Sequence, residues 1–385
     1  MKKTYLLAAA ALASTLVSCG QTSSSSQLSS MNGGMSVSSE TSVPSSTSEE
    51  ESSSGQSSEV QESEISVVSP EGAPSYALGN YYHDHPSRVT VGAPATIVRP
   101  AIFNGTADVV IFDAANTAKL MKGGKVTDYN FARLLTGGNI YLVKTGNDED
   151  STVDADDSVV SFGTGSIFTS VFKAVENYAG TITEVADAAA AISIAATGLN
   201  EGNKVDYVLV AEPTLTAFIK NGKVKKENVM YRLNDKWEEY TKEKGMNSGK
   251  GYSYFLQAGV FVKKESEQDE GKKKAIDAFL KSVDAAAKDF ATNDGAVTMG
   301  RILSDVQMGL YGEVSNPVET TKVFGVAYAA VKNAVTESKN GFGQKNALGF
   351  LEGAVDVNSF LNDTKSLLGY PAFDEANLSS FYTAA

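Results

Sequence analysis

The sequence predicts an α/β protein of two similar lobes with a ligand cleft between them. One observation is a stretch that the chain writes twice. The first copy runs from Asn104-Gly105 through Asp108-Val109-Val110-Ile111-Phe112-Asp113 into Ala114-Ala115-Asn116. The second runs from Glu201-Gly202 through Asp206-Tyr207-Val208-Leu209-Val210 into Ala211-Glu212-Pro213. Each copy has a glycine turn, an aspartate, a short apolar run rich in β-branched residues, an acidic residue and the start of a helix. Such apolar runs fit buried strands of a parallel sheet. Asn116 and Pro213 stand where helix-initiating residues are favoured. A second observation is that a further strand and helix precede each copy. An α/β lobe binds ligands beyond the carboxyl ends of its strands, so two such ends facing each other make a cleft.

Taken from the beginning, residues 1–18 carry Lys2 and Lys3 and an apolar run from Leu6 to Val17. This is the pattern of a signal peptide and is too short to span a bilayer. Leu16-Val17-Ser18-Cys19 closes it, and Cys19 is the only cysteine of the chain. A sole cysteine leaves no internal disulfide, no cysteine metal site and no Cys-x-x-Cys pair. Residues 19–63 are mostly Ser, Glu, Gln and Thr. Too little apolar surface is available there to offset chain entropy, so the segment reads as a disordered tether. The remaining length, about 320 residues, suffices for two lobes. The chain carries a net charge of −13 and no basic stripe, which excludes nucleic acid as an expected partner.

Within the body, Ile65 to Ser69 reads as a strand, Gly72-Ala73-Pro74-Ser75 as a turn opening a helix, and Arg88 to Gly92 as a strand. A helix is expected over Thr96 to Phe103, with Pro100 interrupting it. The first copy's helix stops at Gly123-Gly124. Phe131 to Leu135, a tight loop containing Gly138 and Asn139, and Ile140 to Lys144 form strand, loop and strand, the last leading out of the first lobe. Asp148 to Asp157 is an acidic loop without the spacing of a calcium site. Ser158 to Phe162 is a strand, followed by Gly163-Thr164-Gly165-Ser166 and a helix. A glycine-rich turn opening a helix offers free N–H groups, but the lysine of a P-loop is missing. Tyr231 to Gly245 reads as a polar segment holding Trp237, the sole tryptophan, and Tyr252 to Val262 as a strand returning to the first lobe. Helices follow, with Asn293-Asp294-Gly295 as a stop. The expected division is 64–146 plus about 256–385 for the first lobe and 147–255 for the second.

These motifs occur in the order of a known family. The sequence around Cys19 resembles a bacterial lipobox. Behind it come a Gly-Ala-Pro loop, the doubled pattern, Gly-Asn-Ile-Tyr-Leu-Val (138–143), Ala-Glu-Pro-Thr-Leu-Thr-Ala (211–217), a Trp-bearing linker and Gln-Ala-Gly-Val (257–260). The chain resembles the solute-binding lipoproteins of ABC transporters with the type II periplasmic-binding-protein fold. Within them it is similar to the sulfonate, nitrate and thiamine-precursor binding group. The resemblance covers roughly residues 64–300. It implies lipid attachment at Cys19, an extracytoplasmic position on the cell membrane, a monomer, and an ABC permease and ATPase as partners. It also implies closure of the lobes on a small solute about two hinges, near Lys144 to Asp148 and near Tyr252 to Gln257.

Carried over residue by residue, the cleft is lined by Gly72, Ala73, Pro74 and Ser75; by Asp113, Ala114 and Asn116; by Gly138 and Asn139; and by Gly163, Thr164, Gly165 and Ser166. Glu212 and Gln257 are added to these. Asp113 departs from the small or uncharged residue of many relatives, and no arginine lies in these loops for bidentate capture of an oxyanion. The two histidines, His83 and His85, form a His-x-His that fits either a metal ligand pair or a solvated loop. No catalytic set and no nucleotide fingerprint is present, so neither a cofactor nor an enzymatic activity is expected. Since fold does not fix function, an enzyme of thiamine-pyrimidine synthesis, or a surface adhesin or signalling module, stays open beside the receptor.

Overall fold

Ten of the twelve strands that the described residues contain make two five-stranded sheets with the same plan. The computed structural model describes residues 63–147, 150–307, 335–337 and 346–383. The expected signal peptide, Cys19 and nearly all of the expected tether lie outside them. In the first sheet β1 (Val67–Pro70) pairs in parallel with β2 (Val89–Gly92) and with β3 (Val109–Asp113). The late strand β12 (Ala258–Lys263) lies antiparallel between β3 and β4 (Tyr129–Thr136). In the second sheet β6 (Val159–Phe162) pairs in parallel with β7 (Ile182–Val185) and β10 (Tyr207–Ala211). There β5 (Ile140–Lys144) lies antiparallel between β10 and β11 (Val229–Arg232). The orders β2-β1-β3-β12-β4 and β7-β6-β10-β5-β11 therefore correspond strand by strand. The short hairpin of β8 (Leu199–Asn200) and β9 (Asn203–Lys204) stands apart.

The duplicated stretch supplies the central strand of each sheet, β3 and β10, and its aspartate has the same task in both. Asp108 accepts from the amide and hydroxyl of Ser66, each at 2.8 Å, and donates its own amide to the Ser66 hydroxyl at 3.0 Å. Asp206 repeats this with Ser158, at 2.8, 2.7 and 3.0 Å. Each aspartate thus ties the foot of the central strand to the residue before the neighbouring strand. The first lobe adds to this ring, since Ser266 and Lys272 also donate to Asp108, at 2.7 and 2.8 Å.

Both lobe crossings pass through one node, and the boundary expected after residue 146 moves to it. Ile140–Lys144 lies in the second sheet, so the chain changes sheets at Gly137-Gly138-Asn139 and not at Lys144 to Asp148. A run with four buried apolar residues fits a central strand of either lobe equally well, and pairing alone decides. The return crossing lies before β12. Residues 252–257, expected as strand, are irregular, and Phe255 donates its amide to the Gly137 carbonyl at 3.0 Å.

The polar segment around Trp237 is a helix, Leu233–Glu243. Leu233, Trp237 and Thr241 fall on its buried stripe at helical spacing with Asn234 beside them, while the remaining positions apart from Tyr240 are charged. Trp237 donates its ring N–H to the Tyr254 carbonyl at 3.0 Å. The helices Glu270–Ala291 and Asn293–Gln307 cover the outer face of the first sheet. Asn293-Asp294-Gly295 opens the second of these helices, where the Thr292 hydroxyl accepts the Gly295 amide at 3.0 Å. Near the carboxyl end the helix Val357–Leu368 ends at Gly369, which has φ +72°. No helix among the described residues is long and apolar enough to cross a membrane.

Candidate functional site

Residues of both lobes meet where the lobes face each other. Asp113 follows β3 as the N-cap of the helix Ala114–Lys122, accepting from the Asn116 amide at 2.8 Å and the Asn116 side chain at 3.0 Å. The Asn116 Nδ2 also donates to the Gly165 carbonyl at 3.1 Å, a direct bond between the lobes. Gly165 precedes the helix Ile167–Val175 of the second lobe. Burial pushes the Asp113 carboxyl up to about 6, and the bonds from Asn116 offset part of that rise. The residue as a whole is half-buried, and its carboxyl is the enclosed part.

A second group lies at the node of the crossings. Glu212 is 1% exposed. Its carboxylate accepts from the amide and hydroxyl of Thr216, at 3.1 and 2.7 Å, and so caps the helix Thr214–Lys220. The Glu212 amide donates to the Asn139 carbonyl at 3.0 Å, and the Asn139 Nδ2 returns a bond to the Glu212 carbonyl at 2.6 Å. Gln257 Nε2 donates to Asn139 Oδ1 at 2.9 Å. The Gln257 carbonyl accepts the Ala114 amide at 2.9 Å, which places Gln257 beside the start of the Asp113-capped helix. Gln257 Oε1 is buried and makes no hydrogen bond to the described residues. A buried acceptor left open in this way calls for a donor.

The first loop touches this site through a residue that sequence reasoning missed. Gly72 has φ +92° and begins the turn Ala73–Tyr76, with Pro74 in its first positions. The Ser75 hydroxyl is spent on the Gly72 carbonyl at 2.8 Å. Tyr76, fully buried, comes within the field of Glu212; burial first, and then that charge, raises its phenol well above the ordinary value.

The expected row of free N–H groups is not what the cleft offers. The Asn116 amide is taken by Asp113, the Gly165 amide by the Glu184 carboxylate at 3.2 Å, and the Ser166 amide by the Gly163 carbonyl at 3.0 Å. The Ser166 hydroxyl turns inward to the Phe162 carbonyl and to Thr169. Thr164 is exposed. The helix after Asp113 is closed by that residue's own side chain, the turn before Ile167–Val175 is closed by Glu184 and the Gly163 carbonyl, and the surroundings are rich in acceptors: Asp113, Glu184 and Gln257 Oε1. Lys119 is a cation within the field of Asp113, its ammonium 3.9 Å from the ring centre of Tyr370. Tyr370 donates to the Gly165 carbonyl at 3.1 Å. It lies more than two hundred residues from its partner, where no local pattern points to it.

His83 and His85 lie elsewhere. His83 bonds Asp84 at 3.0 Å beside a surface groove reaching Arg301 and Asp305, and His85 packs on Tyr81. Among the described residues no group of three or more His, Cys, Asp or Glu could hold a metal ion.

No family model and no curated protein matches the sequence. Solved structures do match. The ligand-binding component of an ABC-type import system from Staphylococcus aureus, with zinc bound, aligns over 82% of this chain and 96% of its own, with a TM-score of 0.51 at 9% identity. An ABC transporter protein from Parabacteroides distasonis aligns over 82% and 98%, with a TM-score of 0.48 at 15% identity. The alkanesulfonate-binding protein from Xanthomonas axonopodis pv. citri, bound to MOPS, aligns over 70% and 82%, with a TM-score of 0.44 at 12% identity. The likeness is one of fold. The chain has the two-lobed α/β fold seen in the binding components of ABC transporters.

Proposed function

We propose that the chain is the solute-binding receptor of an ABC importer, that it holds a small polar molecule between its lobes, and that it is no enzyme. The observation that carries this reading is the inter-lobe bond from Asn116 to Gly165, within a fold whose solved examples include transporter binding components. The receptor is a monomer on the extracytoplasmic face of the membrane, anchored through lipid on Cys19 after signal-peptide removal, and it delivers its solute to a permease and ATPase. In a membrane-fractionation assay the Cys19→Ala protein should leave the membrane fraction or stay unprocessed. A processed form that still sediments with membranes would refute the anchor.

The acceptor-rich cleft favours a solute that brings N–H donors, such as an aminopyrimidine, over nitrate or a sulfonate. Asp113, Asn116 and Gln257 are the residues that meet it. A thermal-shift panel of aminopyrimidines, aliphatic sulfonates, nitrate and zinc tests the class, since a ligand at a hundredfold its Kd adds about 2.7 kcal/mol to stability. For the hit, calorimetry on Asp113→Ala and Gln257→Ala should show affinity falling about 5- to 150-fold, because a buried polar partner is worth roughly 1–3 kcal/mol. As a cap alone, Asp113 would cost about 1 kcal/mol of stability and leave affinity alone. Folded variants that keep the Kd would remove these residues from the site.

A further inference from the structure

The carboxy-terminal segment is fastened to both lobes. On the second lobe and its crossing, Phe360 of the Val357–Leu368 helix lies against the rings of Trp237, Tyr252 and Tyr254, at 6.2, 5.0 and 5.6 Å between centres. Asp363 of the same helix accepts from the Asn247 amide at 3.0 Å and the Tyr252 hydroxyl at 2.8 Å. Asn247 and Ser248 both hold left-handed backbone, with φ of +51° and +54°. Non-glycine residues take that conformation at a cost, and the loop keeps it where its amide meets the Asp363 carboxylate.

Beyond Gly369 the segment passes between the lobes and ends on the first. Phe373 stacks on Phe131 of β4, with ring centres 4.5 Å apart and planes 13° apart. Asp374 pairs with Lys122 at 2.8 Å, and the Ser379 amide donates to the Phe131 carbonyl at 2.9 Å. Between these two anchorages stands Tyr370, 2% exposed. Its hydroxyl donates to Gly165 of the second lobe, and its ring lies beneath Lys119 of the first. Gly165 thus accepts on one carbonyl from Asn116 and from Tyr370. The crossings at 137–139 and 252–257 explain how the lobes are joined, and neither requires this third connection.

We infer that the carboxy-terminal segment is a latch and that Tyr370 is its catch, holding the lobes together before any solute is bound. Opening the cleft breaks the Tyr370–Gly165 bond or parts Tyr370 from Lys119, because those partners belong to different lobes. The latch goes beyond the receptor reading and does not depend on the solute's identity.

Hydrogen–deuterium exchange on the full chain without added solute tests it. Tyr370→Phe keeps the ring on Lys119 and removes only the hydroxyl; Tyr370→Ala removes both contacts. In Tyr370→Phe, exchange over 113–122 and 163–175 should rise about fivefold, the equivalent of one hydrogen bond, while 270–291 exchanges as before. The rise should be larger in Tyr370→Ala, with a larger radius of gyration by scattering. If Tyr370→Ala does not fold, Tyr370→Phe decides alone. Wild-type exchange over 113–122 and 163–175 in Tyr370→Phe overturns the latch, and so does a rise shared equally by 270–291.

Discussion

Asp108→Ala should cost the fold about 2–4 kcal/mol, since buried donors left without their acceptor cost about 1–3 kcal/mol and Lys272, with a side chain 37% exposed, loses its partner largely to water. The carboxylate is 8% exposed and accepts four bonds, two from Ser66, one from Ser266 and one from Lys272. Removal leaves three donors and an ammonium facing a small void. Asp206→Ala offers an internal comparison, because Asp206 accepts the same two bonds from Ser158 without a lysine. Its loss should stay within about 1–3 kcal/mol. Urea unfolding of both variants at pH 7 measures the difference, and equal losses would show that Lys272 and Ser266 add nothing.

The two aspartates of the first copy titrate in opposite senses. For Asp108, burial alone would raise the carboxyl, but the bonds from Lys272, Ser266 and Ser66 outweigh it and hold it at about 2. A carboxyl lowered by folding contributes stability above pH 4 that is lost as the pH falls towards 2. Asp113 is raised to about 6, so the folded state binds its proton more tightly than the unfolded chain. Stability should therefore decline as the pH rises from about 4 to 6, by at most about 3 kcal/mol and by less where cleft water screens the charge. Asp113→Asn should flatten that limb in urea midpoints taken across pH 3 to 7. An unchanged limb would place the titration elsewhere.

The repeat was legible because its chemistry is local. A glycine turn, an aspartate and a β-branched run specify a central strand and its foot, and an acidic residue at the strand's end begins a helix or stands just ahead of one. Asp113 and Glu212 could be picked out on those grounds, and they do close the helices that follow. What was not legible depends on pairing at a distance. Ile140–Lys144 carries no mark of which sheet it joins. Trp237 sits among charged neighbours, so its stripe is narrow. Glu184 takes the amide of Gly165, a bond that spacing does not announce, and this turns an anion-friendly turn into an acceptor-rich one. Tyr370 follows a helix end, and only the folded chain brings it beneath Lys119.

Gly138→Ala is expected to be the most damaging single-methyl change at the crossings. Gly138 has φ +114°, a region that other residues enter at a cost of about 1–3 kcal/mol. An added Cβ would lie 2.5 Å from Asn234 Oδ1 and 2.5 Å from the Phe255 ring. Asn234 cannot withdraw freely, since its Nδ2 donates to the Gly137 and Ser253 carbonyls at 2.7 and 3.1 Å, and Phe255 is fully buried. Overpacking of this kind adds about 1–3 kcal/mol, which puts the whole loss near 2–6 kcal/mol. Gly165→Ala is the control. It has φ +70° and nothing within 4 Å of an added Cβ, so backbone strain acts alone, at about 1–2 kcal/mol. Because Gly138 lies where the chain changes sheets, its substitution should also alter the angle between the lobes, and the Gly165 change should not destabilise that node. Urea unfolding of the two variants, with scattering on each, separates them. A Gly138→Ala protein no less stable than Gly165→Ala, with the wild-type radius of gyration, would mean that the node yields and does not set the geometry of the cleft.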